Sequence, residues 1–138
     1  MKPYIHTVHY YETDKMDCVH HSNYIRWMEE ARVAFLDRIG VGFPMMEARG
    51  IYSPVTGVEC SYRRPTHFAE EIRVSAAVAE YTGVRLRITY EMHNAEGILV
   101  ASGASRHCFT DTSGRPIALQ KTHPDIDAVL QSTVNPAP

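Results

Sequence analysis

The sequence has few cysteines, and this shortage narrows what the protein can be. Its 138 residues include three cysteines, Cys18, Cys60 and Cys108, which are widely spaced and form no CxxC motif. An odd number of dispersed cysteines argues against a disulfide framework and against a structural zinc site. We therefore expect a reducing compartment and assign the chain to the cytoplasm.

Long apolar runs are also missing. The longest, residues 76–79 and 98–101, are far shorter than the roughly 20 residues that a membrane-spanning helix needs. The first residues, MKPYIHTVHY, lack the apolar core of a secretion signal. These features predict a protein that is neither membrane-bound nor exported.

Neither positive nor negative charge predominates in the sequence. Lysine and arginine number 14, aspartate and glutamate 16, and the formal net charge is -2. The sequence has no basic run, so nucleic acid and anionic membranes are not expected partners. A chain of this length fits one domain with a full hydrophobic core. We expect a single domain over residues 1–131 and a flexible tail over 132–138.

Hydrophobic periodicity predicts one long helix. Apolar residues recur at intervals of three and four from Ser22 to Ile39, with Ser22 or Asn23 as the N-cap and a glycine as the stop. The apolar arc of this helix covers roughly 200°, about twice the usual stripe, so other elements should wrap it. Arg32 and Arg38 fall within the arc, so either the wrapping is incomplete or their stems snorkel to water.

The other elements are mostly strands. Their order predicts an α+β fold, an antiparallel sheet of about five strands with the long helix inserted after the first. Segment 84–93 gives the clearest signal, because its apolar and polar residues alternate strictly. The predicted elements are a strand at 4–11, a short helix at 44–49, and strands at 53–64, 72–78, 84–93 and 98–110.

Asp14 lies a few residues ahead of the long helix, in the segment YETDKMDCVHHSNY. The first amides of a helix have no intrahelical partner and carry partial positive charge, so they can hold a developing oxyanion. A carbonyl between these amides and a nearby carboxylate would be polarised from one side and attacked from the other. The pattern indicates a hydrolase of esters or thioesters.

Three segments, TDKMDCVHHSNYIRWMEEAR, SYRRPTHFAEEIRV and SRHCFTDTSGRPIAL, resemble the 4-hydroxybenzoyl-CoA thioesterase branch of the hotdog-fold acyl-CoA thioesterases. The resemblance spans nearly the whole chain. It implies the hotdog fold, in which the sheet wraps around the central helix, and hydrolysis of an acyl-CoA thioester to the free acid and CoA. It also implies a homodimer or homotetramer with sites built between protomers. The reaction needs no metal or redox cofactor.

The same resemblance implies roles for single residues. Asp14 matches the catalytic aspartate, which acts as base or as nucleophile, and His21 matches the position whose backbone amide polarises the carbonyl. Asp17 stands where the family has glycine, in a turn where glycine often serves a positive φ. The residues expected at the acyl pocket, the helix start or the CoA phosphates are His20, Ser22, Asn23, Tyr24, Trp27, Arg63 and Arg64.

Each of these residues also has an ordinary structural interpretation. Asp14 in a turn is typical of an Asx-turn. Tyr24 and Trp27 lie on the apolar arc, which is typical of core residues. A pair such as Arg63 and Arg64 at a strand end is commonly only solvated.

Three alternatives concern the whole protein. His20 and His21 could bind a metal together with Asp14 and Asp17, although adjacent histidines on a helix point in different directions. A non-catalytic acyl-thioester binder would keep the pocket without turnover. A hotdog dehydratase of 3-hydroxyacyl thioesters would share the fold, but its His and acid come from a motif that this sequence lacks.

Overall fold

One long helix and five strands make up most of the structure, a computed structural model that describes residues 2–134. The fold class is α+β, as predicted. Two short helices near the end of the chain complete it. The elements are β1 (Tyr4–Thr7), a 3₁₀ turn (Tyr10–Glu12), α1 (Ser22–Arg38), α2 (Phe43–Ala48), β2 (Val55–Tyr62), β3 (Glu71–Tyr81), β4 (Arg85–His93), β5 (Leu99–Cys108), α3 (Leu119–Thr122) and α4 (Pro124–Ser132).

The five strands form one antiparallel sheet in the order β1-β3-β4-β5-β2. β1 and β2 are therefore the two edges of the sheet. α1 contacts β1, β2 and β3, so the hydrophobic core forms between the long helix and the sheet. Fully buried side chains from both layers include Trp27, Met28, Leu36, Ile72, Ile88 and Met92. Within residues 2–134 no helix combines the length and apolar character needed to span a bilayer.

The predicted limits of α1 are confirmed to within one residue. Gly40 has φ +88° just beyond the helix, a conformation that glycine adopts without strain and that ends the helix. The two arginines in the apolar arc differ from each other. Arg38 is exposed, whereas Arg32 is only 5% exposed. Only Arg38 reaches water as a snorkelling side chain would.

The alternation predicted for residues 84–93 is confirmed from Leu86 onward, whereas Val84 precedes β4 and is exposed. Leu86, Ile88, Tyr90 and Met92 are buried in the core, and the residues between them point to the opposite face. The sheet therefore presents one apolar and one polar face, as half-buried antiparallel sheets do.

Two parts of the fold differ from the prediction. β1 ends at Thr7 instead of residue 11, because the chain turns into the 3₁₀ segment that buries Glu12. Periodicity does not predict α3 and α4, which are short and depend on packing Leu119, Ile126 and Leu130 into the core.

The expected tail at 132–138 is ordered where it begins. Ser132 ends α4, and Val134 forms a parallel bridge with Val78 and packs against the core. Residues 135–138 lie outside the described residues.

Gly103 in β5 lies close to both the neighbouring strand β2 and the helix α1. A methyl group on its Cα would lie 2.5 Å from the carbonyl oxygen of Glu59 in β2 and 3.1 Å from the sulfur of Met28 in α1. The first distance is shorter than any real carbon–oxygen contact. The close approach of the β2 backbone, and after it of Met28, therefore requires glycine at this position of β5.

We expect Gly103→Ala to lower the free energy of unfolding by about 1–3 kcal/mol, because the methyl group would force β2 and β5 apart. Urea unfolding measures the change. Ser102→Ala, one residue earlier in the same strand, is the control and should shift stability by less than about 0.5 kcal/mol. Equal stability of the two variants would show that the contact at Gly103 relaxes freely.

Candidate active site

Asp14 lies in a short loop that closes on itself. Thr13 and Val19 form an isolated bridge, and the Asp14 amide donates a hydrogen bond to the Cys18 carbonyl oxygen at 2.9 Å. Asp14 Oδ1 accepts from the Met16 amide at 2.8 Å, so the residue does form an Asx-turn. Its Oδ2 has no hydrogen-bond partner within residues 2–134. The backbone thus orients the carboxylate and leaves one oxygen available.

Asp17 makes the tight turn of this loop. Its φ is +62°, in the left-handed region where glycine is at ease and aspartate is tolerated better than most residues. Its amide donates to the Asp14 carbonyl oxygen at 3.0 Å. The positive φ expected at the position of the family's glycine is therefore present, and aspartate serves it.

The start of α1 presents an unpaired amide. The amides of Asn23 and Tyr24 donate to the carbonyl oxygens of His20 and His21, at 3.0 and 3.3 Å, and the Ser22 amide donates to His20 Nδ1 at 3.3 Å. The His21 amide has no acceptor in the part of the chain that the structure describes. His21 is also the N-cap, instead of the predicted Ser22 or Asn23. The donor expected at His21 is therefore unoccupied by other protein groups.

Ser22 and Asn23 fix the turn into the helix. Ser22 Oγ lies 2.8 Å from His20 Nδ1. Asn23 is buried, and its side-chain amide donates to the carbonyl oxygens of Glu12 and His20 at 3.0 and 3.3 Å. Their hydrogen bonds hold the loop against α1.

Tyr24 and Trp27 are core residues in the single chain. The Tyr24 hydroxyl lies 2.7 Å from Thr66 Oγ1, and Trp27 is fully buried. Tyr62, which sequence reasoning did not single out, packs edge-on against Tyr24 and donates to the His21 carbonyl oxygen at 3.1 Å. Burial raises the pKa of Tyr62 to about 12. Tyr62 therefore stays neutral and supports the residue that carries the free amide.

Glu12 is a second residue that the sequence did not reveal. It is 4% exposed, yet its carboxylate accepts hydrogen bonds from the His9 amide at 2.7 Å and the Trp27 indole at 2.7 Å, and contacts His6 Nε2 at 2.8 Å. Burial alone would raise the pKa of Glu12, but these hydrogen bonds outweigh it and hold the pKa below its ordinary value. Glu12 is thus an ionised, fully bonded anchor two residues before Asp14.

His6, His9 and Glu12 also place three potential metal ligands within 4.8 Å of one another. Both oxygens of Glu12 already take part in hydrogen bonds, which favours a structural role for the group. The metal site weighed from the sequence is a different set, formed by Asp14, Asp17, His20 and His21. That set forms no comparable cluster among residues 2–134.

Arg63 and Arg64 follow the end of β2 and are exposed. Their amides both donate to the Val100 carbonyl oxygen, at 2.8 and 3.1 Å, which fixes the backbone there. Arg64 lines an open surface cavity of about 440 Å³ that neither Asp14 nor His21 borders. The structure thus leaves both arginine side chains accessible but does not bring them beside the carboxylate.

A second cavity, of about 160 Å³, lies between α1 and strands β2, β4 and β5. A buried hydrogen-bonded chain lines it. Arg32 Nη1 lies 2.9 Å from His107 Nδ1, His107 Nε2 lies 2.7 Å from Ser105 Oγ, and Ser105 Oγ lies 2.7 Å from the Tyr90 hydroxyl. The only sequence signal for this network is the position of Arg32 within the apolar arc.

His107 is neutral within this network. Burial first, and then the charge of Arg32, lower its pKa to about 4. Arginine can only donate hydrogen bonds, so Nδ1 of His107 must accept and Nε2 must carry the hydrogen. His107 therefore accepts a hydrogen bond from Arg32 and contributes no charge beside it.

We expect the protein to lose stability as the pH falls from 6.5 to about 4. Over this range the unfolded chain protonates His107 near its ordinary pKa of 6.5, whereas the folded chain does not until about 4. The unfolded state therefore binds more protons in this window, and stability rises with pH across it, by about 3 kcal/mol at most.

Urea unfolding at several pH values tests this expectation. The control is His107→Asn, which offers Arg32 an acceptor near the Nδ1 position but does not titrate. Its stability should fall less than that of the wild type over the same window. The same pH dependence in both proteins would assign the effect to other groups.

Comparison with known proteins places this geometry in a family. The model of the Thioesterase-like superfamily matches residues 8–134. YneP of Bacillus subtilis (strain 168), a proposed acyl-CoA thioesterase, is 36% identical over 119 residues, which cover 86% of each chain. The 1,4-dihydroxy-2-naphthoyl-CoA hydrolase of Thermosynechococcus vestitus is 26% identical, over 78% of this chain and 74% of that protein.

Among solved structures, the DHNA-CoA thioesterase of Staphylococcus aureus superposes with a TM-score of 0.91 at 30% identity, covering 95% of this chain and 89% of that one. The names of these relatives do not include 4-hydroxybenzoyl-CoA, so the comparisons support the family and leave the branch open. The family match begins just after β1 and extends past the end of α4, so it includes the loop of Asp14 and the start of α1. The chain therefore belongs to the Thioesterase-like superfamily of hotdog-fold enzymes.

Proposed function

We propose that this protein hydrolyses an acyl-CoA thioester, with Asp14 as base or nucleophile and the His21 amide as oxyanion donor. The observation that carries the proposal is the unpaired His21 amide at the start of α1, close in sequence to a loop that orients a carboxylate with one free oxygen. The names of the relatives support a CoA thioester as the substrate.

In the proposed reaction Asp14 takes a proton from a water molecule while the water oxygen attacks the thioester carbon. The carbonyl oxygen becomes negative and is held by the His21 amide until the carbon–sulfur bond breaks and CoA leaves as thiolate. Alternatively Asp14 attacks directly and water hydrolyses the mixed anhydride. One oxyanion donor contributes about 2.7–4 kcal/mol, against roughly 0.3–1 kcal/mol for the helix dipole, so the amide matters most. Neither route uses a metal or redox cofactor.

The single chain does not enclose Asp14, and this supports a site that a second copy completes. β2 is an edge strand of eight residues, and neither of its faces is buried. Val55, Val58 and Tyr62 are all exposed on it. A free edge with apolar side chains is a template for pairing with another strand, so we propose a C₂ homodimer, or a tetramer of such dimers, through β2.

Two narrower points also remain proposals. The sequence resemblance favours the 4-hydroxybenzoyl-CoA branch, and the exposed Arg63 and Arg64 are suited to meet the phosphates of CoA. The cysteines Cys18, Cys60 and Cys108 are all free thiols, which supports a reducing cytoplasm as the compartment.

We expect Asp14→Asn to lower kcat by at least about 100-fold, because the amide can neither accept the proton nor attack the carbonyl. Release of free thiol from short, long and aromatic acyl-CoAs measures this. The matched control is Asp17→Asn in the same loop, since asparagine also tolerates a positive φ. Its activity should stay within several-fold of the wild type.

Other outcomes of this assay identify the alternatives. Full activity in Asp14→Asn would remove Asp14 from the mechanism. If neither the wild type nor the variants release thiol from any of the acyl-CoAs, the non-catalytic acyl-thioester binder is favoured. Hydration or dehydration of a 3-hydroxyacyl or enoyl thioester without thiol release would favour the dehydratase.

We expect Val58→Asp to weaken the β2 interface and to lower activity at least about tenfold, because a charge would be buried there without a partner. Sedimentation equilibrium and the dilution dependence of activity measure the two effects. Val33→Asp, at an equally exposed valine on α1, is the control and should change neither. A wild-type monomer with full turnover would contradict the shared site.

A further inference from the structure

The cavity between α1 and strands β2, β4 and β5 has two chemically different ends. Ile25, Met28, Val55 and Val58 make most of its wall apolar. Its volume of about 160 Å³ is close to that of a protein cavity of about 150 Å³ that holds one benzene molecule. The space therefore suits a group of about six carbon atoms.

Arg32 forms the other end, and among the described residues its charge is compensated only by the exposed Glu29 and by the ring of Phe43, whose centroid lies 5.2 Å from the guanidinium carbon. It is only 5% exposed, and within residues 2–134 its guanidinium has one side-chain hydrogen-bond partner, His107. The nearest carboxylate oxygen, on Glu29, lies at 3.9 Å on a side chain that is 67% exposed. A guanidinium has five N–H donors, so several remain for a ligand. Burial of a cation with so weak a counter-ion is unfavourable unless an anion arrives.

Apart from Glu29, the neighbours of Arg32 in this cavity carry no negative charge. His107 is neutral and uses Nδ1 to accept from Arg32, and its Nε2 then donates to Ser105. Ser105 and Tyr90 are hydroxyl groups, and burial raises the pKa of Tyr90, so it too is neutral. This end of the cavity therefore offers one buried positive charge, the largely exposed carboxylate of Glu29 beside it, and otherwise neutral groups. Its chemistry suits an anionic oxygen ligand.

The cavity also lies in line with the proposed oxyanion donor. His21, Ile25, Met28 and Arg32 follow each other at spacings of four, three and four, so they share one stripe of the helix. Arg32 is 11 residues from His21, or roughly 16 Å along the helix axis, and its side chain leans back toward the helix start.

β2 runs beside that stripe. Tyr62 at one end of the strand contacts His21, and Val58 and Val55 further along the strand line the cavity. An acyl group whose carbonyl oxygen sits at the His21 amide would therefore enter the apolar part of the cavity first and meet Arg32 at its far end.

We propose that this cavity receives the distal part of the acyl group and that Arg32 binds a carboxylate there, which makes CoA monothioesters of dicarboxylic acids the preferred substrates. The assignment rests on the proposed thioester hydrolysis. The planar guanidinium can form two parallel hydrogen bonds with a carboxylate, which a distal methyl group cannot match and a single hydroxyl group matches only in part.

The test compares substrates that differ only at the far end. Monothioesters of dicarboxylic acids of about four to eight carbons are paired with monocarboxylic acyl-CoAs of the same length. We expect kcat/KM of the wild type to be at least about tenfold higher for the dicarboxylic member at the best length. A ratio of one or less at every length overturns the proposal. So does a preference only for 4-hydroxybenzoyl-CoA over benzoyl-CoA, since that would indicate a neutral hydroxylated ring.

Substitution of Arg32 assigns the preference to this residue. Arg32→Met should lower kcat/KM for the dicarboxylic substrate about 10- to 100-fold and lower it much less for the monocarboxylic substrate, so that the ratio of the two falls towards one. Arg38→Met, an exposed arginine of the same helix, is the matched control and should leave the ratio as in the wild type. An unchanged ratio in Arg32→Met would overturn the role of Arg32. Circular dichroism verifies that both variants fold, and Arg32→Lys, which keeps the charge, should lose less of the preference if Arg32→Met does not fold.

Binding measurements separate this proposal from the proposed reaction. Isothermal titration of the same substrate pairs into Asp14→Asn measures affinity without turnover. Turnover without a dicarboxylic preference would leave the thioesterase function standing and remove the carboxylate subsite. A dicarboxylic preference in binding without any turnover would retain the subsite and remove the hydrolysis.

Discussion

The candidate site depends on the hydrogen bonds of the buried Glu12 carboxylate. A buried ionised group is costly unless hydrogen bonds replace its water, and here they come from the His9 amide, His6 and Trp27. Its backbone oxygen accepts two more, from the His20 amide and the Asn23 side chain. Glu12 thereby joins β1, the returning end of the Asp14 loop and α1. The loop that carries Asp14 begins and ends at this anchor.

Residues 2–134 of one chain contain the electrostatic parts of the proposed site, but they do not form the walls of a cleft at Asp14. The free amide of His21 and the oriented carboxylate of Asp14 depend only on the loop and the start of α1. Asp14 and His21 are both exposed, and the adjacent edge strand β2 has no buried face. In the described part of the single chain nothing packs over this side of the molecule, so the site is open to water and the edge of the sheet is unpaired. One second copy on β2 would resolve both.

Sequence predicted best what local signals determine. The limits of α1 follow from its periodicity and from Gly40, and β4 follows from strict alternation. The fold class then followed from the order of these elements. Each of these local features is determined by a few residues that are neighbours in the sequence.

Sequence failed where distant residues decide the outcome. Glu12 looks like one acid among several in a polar segment, and only its partners across the fold explain its burial. The N-cap moved to His21 because Asn23 turns inward to reach Glu12 and His20. α3 and α4 exist because the core accepts their few apolar side chains. None of these contacts leaves a periodic pattern in the sequence.

Arg32 combines a local sequence signal with an outcome that distant residues decide, and the free-energy cost of burying it bears on its role. The apolar arc of α1 marked it as out of place, but whether it would snorkel or be buried depended on the sheet beneath it. An apolar residue of similar size at such a position is often as stable as a buried ion or more so. Burial, together with the charge of Arg32, lowers the pKa of His107 and keeps it neutral, which adds an acid-sensitive loss of stability to the fold. Both effects weaken the free protein, and an anion at Arg32 would offset the first by supplying the missing counter-charge. A cavity-lining residue that lowers the stability of the free protein is typical of residues retained for binding.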